Sequence, residues 1–187
     1  IAPRLVIAGE GLEGVPGGFP GLPPNTVLST PDEGRQMVRQ LADLQVNFLK
    51  AHNGLNRDTF YAILDEAERF GIPVDGHLQP GLDIIEASDA GQRTIEHLNG
   101  LQMACAADPA TLRSEEPDAA PIEINMARCE ETIRHLVDNG TWLTPTLGGP
   151  GSTGGAGGGD LRTRQFNLAL TRLASEGGLR ILAGTDW

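Results

Sequence analysis

The sequence lacks any apolar run approaching the roughly 20 residues that a membrane-spanning helix needs. It is also poor in positive charge: 14 Lys and Arg stand against 25 Asp and Glu, a formal charge of −11. Without a basic stripe to hold a phosphate backbone, neither nucleic acid nor a membrane is an expected partner. Cysteine is scarce. Cys105 and Cys129 lie far apart without CxxC spacing, which argues against a zinc knuckle or a disulfide framework, and both are expected as free, buried thiols. No GxGxxG follows the first apolar run, and no Gly-rich loop ends in Lys-Ser or Lys-Thr, so dinucleotide and P-loop chemistry lose ground. The opening IAPRLVIAGEG has neither the basic start nor the cleavage site of a signal peptide, and no initiator Met. The true N-terminus is expected upstream, and localisation is not readable.

What is present is ordinary globular composition, 39% hydrophobic and 21% charged, arranged in short apolar runs that alternate with helical patterns. The runs are RLVIAG (4–9), VNFLKAH (46–52), PVDGHL (73–78), RTIEHL (93–98), TWLTPTL (141–147) and RILAGTD (180–186). Thr30-Pro31-Asp32-Glu33 reads as a capping box opening a helix with Met37, Val38, Leu41 and Leu44 on one face. Asn56 caps a second helix whose stripe is Phe60, Ile63, Leu64 and Ala67 and whose terminator is Gly71. A short helix is expected over 83–90, stopped by Gly91, and longer ones over 122–139 and 161–176, closed by Gly140 and Gly177-Gly178. Strands alternating with helices in this way pair in parallel through right-handed crossovers. Six of them suit either a doubly wound sheet or part of a (β/α)8 barrel.

Two segments interrupt the alternation. Residues 10–26 are rich in Gly and Pro and read as a long βα loop. Residues 148–159, GGPGSTGGAGGG, read as a flexible linker, native or introduced.

Chemistry-bearing residues fall at one structural phase. Lys50, His77, His97 and Asp186 each end a different predicted parallel strand, and in a barrel those ends converge on the face where active sites form. Taken singly, each has a plainer reading: a solvated lysine, two hydrogen-bonded structural histidines, a helix-capping aspartate. Taken together they point to a metal site. His135, inside a predicted helix, reads as surface or core filler, and His52 as either a loop histidine or a substrate-binding one.

The block DxxVNFLKAHNGLNRDTFYAILDEAERFGIPVDGH, then EASDAGQRTIEHLNGL, WLTPTL and ILAGTDW, resembles the amidohydrolase superfamily, and within it the imidazolonepropionase-like and Xaa-Pro dipeptidase-like branch. The resemblance covers most of residues 43–104, with 141–147 and 180–187. It implies an incomplete (β/α)8 TIM-type barrel whose six runs match strands 3 to 8, without strands 1 and 2 or the flanking β-sandwich. It implies two divalent metal ions, zinc by preference, and a Lys50 that reacts with carbon dioxide to form the carbamate bridging them. It gives His77 and His97 as imidazole ligands and His52 as a substrate-pocket residue. It gives Asp186 as a ligand that orients the hydroxide and carries its proton to the leaving group. The family's His-x-His pair on the first strand has no counterpart here. Residues 1–187 are therefore expected to be one partial barrel, inactive alone, with exposed edges that associate with missing segments or further copies.

The activity so implied is hydrolysis of an amide bond in a small molecule, a dipeptide or N-acyl amino acid. A cyclic amide or lactone hydrolase on the same site is the alternative within enzymes. A non-catalytic or engineered barrel fragment with a residual metal site is the alternative outside them.

Overall fold

The computed structural model describes residues 3–16, 27–113, 120–147 and 161–184. The glycine-rich 148–159 segment, most of the 10–26 loop and Asp186 lie outside these residues. There are five strands among the described residues: β1 (Leu49–Ala51), β2 (Val74–His77), β3 (Gln92–Glu96), β4 (Trp142–Thr144) and β5 (Arg180–Ile181). β1 pairs with β2, β3 with β4 and β4 with β5, each in parallel. Helices alternate with them: α1 (Pro31–Asp43), α2 (Arg57–Phe70), α3 (Ile84–Asp89), α4 (Asn99–Cys105), α5 (Met126–Asp138) and α6 (Leu161–Glu176), with a 3-10 turn at Pro109–Arg113. The α/β class and parallel pairing expected from the alternation are therefore present. By its contacts the chain divides into two compact units, Ile1–Leu82 with Asp89–Arg93, and Asp83–Ser88 with Thr94–Trp187. Among the described residues no helix is long and apolar enough to cross a membrane.

In the first unit, α1 starts where its capping box says it should. Thr30 Oγ1 accepts the Glu33 N–H, and Glu33 accepts the N–H groups of Thr30 and Ser29 in return. Those backbone donors, Ser29 foremost, hold the Glu33 carboxyl below its ordinary value. Val38 and Leu41 are buried as expected, but Leu44 is 71% exposed, because the helix ends at Asp43 and Leu44 is already its cap. Gly34 takes the remaining place on the buried face, where a Cβ would lie 3.0 Å from Ile63 and 3.2 Å from Thr59; its bare backbone lets α1 lie close against α2. The cap of α2 is Asn56, whose side chain accepts the Thr59 N–H at 2.9 Å, and its stop is Gly71 at a φ of 65°. Phe60, Ile63, Leu64 and Ala67 are all buried. Arg39 and Arg69 flank the buried Glu66, and the hydrogen bond from Arg39 leads the effects that lower its carboxyl.

One expected strand is not there. Residues 4–9 form no ladder, and Leu5, Val6 and Ile7 are 75%, 64% and 52% exposed. The polar groups of Ile7 go to Asn47 instead, its N–H to the side chain and its carbonyl to the Asn47 N–H. The place beside β1 belongs to Leu12. Leu12 N–H donates to Lys50 O at 2.8 Å, and His52 N–H donates to Leu12 O at 2.9 Å. Leu12 wins that place by burying its side chain almost completely, which the longer apolar run does not do.

In the second unit, α5 begins at Met126 rather than at residue 122, because residues 122–125 run antiparallel to residues 105–107. Ala107 N–H donates to Glu123 O and Asn125 N–H to Cys105 O, both at 2.8 Å. Only after that pairing does Asn125 cap the helix through the Arg128 N–H. The same return corrects the expectation of free thiols. It sets Cys129, in the first turn of α5, against Cys105, the last residue of α4, and the two form a disulfide with Cα atoms 4.5 Å apart. Spacing in sequence concealed this, since 24 residues separate them. Closing a loop of that length restricts the unfolded chain by about 3 kcal/mol. Cys129→Ala is expected to lower unfolding stability by about that amount in denaturant titrations. Equal unfolding curves with and without reductant would count against it.

Candidate metal centre

The first unit carries two of the expected ligands on one face of a strand pair. Lys50 on β1 is in register with Asp75 on β2. Side chains alternate along a strand, so Lys50, Asp75 and His77 share a half-buried face, while Leu49, Ala51, Val74 and Gly76 are buried on the other. Gly76, immediately before His77, sits at a φ of 133°, and a Cβ there would fall 1.9 Å from the Ala51 carbonyl oxygen. Only a residue without a side chain lets β2 approach β1 this closely.

Past β1 the chain turns through His52 and Asn53, and buried polar groups hold the turn. Glu13, 4% exposed, bonds His52 Nδ1 through one oxygen and accepts the Asn53 N–H at 3.0 Å through the other. Asn53 Oδ1 lies 2.9 Å from His77 Nδ1. The His52 and His77 rings stand 4.4 Å apart, centroid to centroid. Gln79, also buried, donates to the carbonyls of His52 and His77 and accepts the Leu55 N–H. Both imidazoles are thus fixed at backbone and ring.

In the second unit, His97 follows directly on β3. Its N–H donates to Thr144 O at 2.8 Å, extending the pairing with β4, and its φ is 64°. A left-handed histidine is uncommon and persists only where its surroundings hold it. Here the partner is Thr146, itself left-handed at a φ of 46° and 4% exposed, whose hydroxyl lies 2.7 Å from His97 Nδ1. Two costly backbone conformations meet through one hydrogen bond at the ends of adjacent strands. Glu96, directly before His97, is half-buried like it, so the pair offers a carboxylate oxygen beside an imidazole nitrogen. Imidazole nitrogens and carboxylate oxygens are donors of the kind zinc takes, so the residue types at these strand ends fit a divalent cation.

Of the sequence-derived site residues, Lys50 shares the face of His77 and the His52 ring lies tilted beside it in the first unit, while His97 ends its strand in the second. Asp186 lies outside the described residues. His135 is half-buried on α5, as a filler residue would be. Sequence reasoning missed Glu96, although the EH pair names it, and it missed Glu13, Asn53, Gln79 and Thr146, which no periodicity marks.

No family model and no curated protein matches the sequence. Solved structures do match the fold. They include bottromycin amidohydrolase (TM-score 0.61, 20% identity) over 98% of this chain and 46% of that one. A prolidase complexed with N-methylphosphonate-L-proline matches with a TM-score of 0.57 and 17% identity, over 100% and 49%. A Xaa-Pro dipeptidase with bound methionine matches with a TM-score of 0.54 and 16% identity, over 100% and 48%. The chain thus shares its fold with amidohydrolases and prolidase-like dipeptidases, and it spans about half their length.

Proposed function

We propose that these residues are part of a metal-dependent amidohydrolase with a (β/α)8 barrel, in which β1 to β5 correspond to strands 4 to 8 and residues 4–13 stand in the region of strand 3. The observation that carries the reading is the shared face of Lys50 and His77 on paired parallel strands, joined to a fold shared with amidohydrolases and prolidases. His77 and His97 would hold a zinc ion, Lys50 as its carbamate would add an anionic oxygen ligand, and Asp186 would ligate and accept a proton destined for the leaving nitrogen. His52, beside His77, contacts the substrate, a dipeptide or N-acyl amino acid. Bound divalent cations supply a nucleophile at neutral pH and polarise the scissile carbonyl. The chain's own residues orient that chemistry: Asn53 and Thr146 fix the two imidazoles, and the Glu96 carboxylate adds negative charge that favours a cation.

The intact protein is expected to contain about two zinc ions per chain, the two-metal arrangement of such hydrolases. Chelation is expected to abolish hydrolysis across a panel of dipeptides and N-acyl amino acids, and zinc to restore it. Purified protein without stoichiometric metal, or hydrolysis indifferent to chelator, would overturn the reading.

A further inference from the structure

Glu13 is an unusual residue for its setting. It lies in the glycine-rich stretch EGLEGV, where a carboxylate would normally be solvated, yet its side chain is 5% exposed. Burying a carboxylate is unfavourable unless hydrogen bonds replace its water, and both its oxygens are so used, one by His52 Nδ1 and the other by the Asn53 N–H. An ionised carboxylate can only accept, and Glu13 is nearer to Nδ1 than the other polar group beside it, the Asn53 Nδ2 at 3.2 Å, so in the neutral His52 ring the hydrogen sits on Nδ1. The next link has the same logic. Asn53 Oδ1 can only accept, so at 2.9 Å it places the hydrogen of His77 on Nδ1 as well. In both rings the lone pair is then on Nε2.

We propose that Glu13 is a positioning residue: directly for His52, and through Asn53 for His77, it fixes the Nδ1–H tautomer of the neutral ring before any cation binds. A ligating imidazole must present a lone pair, and the tautomer is set by the partner of its other nitrogen. Glu13 does this for the pair from one buried anchor, all four residues lying in the first unit. The purpose of the arrangement rests on the metal reading above; the arrangement itself does not.

The test is a long-range 1H–15N spectrum of the intact, metal-free protein with labelled histidine, recorded where the imidazoles are neutral. His52 and His77 are expected as Nδ1–H tautomers. In Glu13→Gln the introduced amide turns its oxygen to the Asn53 N–H and its NH2 group to His52, which moves His52 towards the Nε2–H form. Asn53→Ala is expected to release His77 and leave His52 unchanged. Zinc affinity of Glu13→Gln is expected to fall about 10–100-fold, as on loss of a ligand's outer partner. Either ring found as Nε2–H in the wild type, or an unchanged His52 spectrum in Glu13→Gln, overturns the proposal. Should Glu13→Gln not fold, the wild-type spectrum and Asn53→Ala decide. Expected tautomers in a protein that binds no zinc would defeat the metal reading and uphold this one.

Discussion

His97→Asn in the intact protein is expected to lower zinc affinity and amide hydrolysis by more than about 100-fold, beyond the 10–100-fold typical of losing a ligand's hydrogen-bond partner. Asparagine is the replacement that separates chemistry from folding. It tolerates the left-handed backbone that His97 adopts at a φ of 64° better than other side chains do, so the turn after β3 survives while the imidazole is gone. Thr146→Val keeps the volume beside His97 and removes the hydroxyl 2.7 Å from its Nδ1; its loss should stay within about 10–100-fold. Metal content and kcat/KM, measured on both variants, give the ranking. Equal losses in the two, or undiminished zinc in His97→Asn, would remove His97 from the site.

Gly76→Ala is expected to be among the most destabilising single-methyl changes in the first unit. The added carbon would stand 1.9 Å from the Ala51 carbonyl oxygen and 3.0 Å from the Ala51 nitrogen, and the φ of 133° is one that side chains rarely adopt. The obstacle is backbone, so no rotamer change relieves it. β2 must move off β1, which gives up the register of Lys50 with Asp75 and shifts His77. Overpacking a core by a methylene ordinarily costs about 1–3 kcal/mol; here the loss should exceed that and be visible as a lower denaturant midpoint. A Gly76→Ala protein of wild-type stability would mean that β2 does not approach β1 so closely.

The helices were the most legible part of this chain in its sequence, because their signals are local. Thr30, Glu33, Asn56 and Gly71 act within one turn of themselves, and the structure uses each as expected. α4 escaped notice for the complementary reason: Leu98 precedes it and no side chain caps it. Strand pairing is not local. RLVIAG has the composition of a strand, but what decides is which residues bury themselves against β1, and Leu12 does so from inside a glycine-rich stretch. The site divides along the same line. His77 and His97 were visible because they end apolar runs, whereas Glu13 and Thr146 act across 39 and 49 residues and carry no mark in sequence. The disulfide too was set by a chain reversal, at residues 105–107 against 122–125, that the pattern of apolar residues does not encode.

The bond between Cys105 and Cys129 has one more effect. It makes everything between those positions a covalent ring, so a protease that cuts one peptide bond there does not release a piece. The nicked chain would travel as a single species until reductant was added, with α4 still tethered to α5 at the junction.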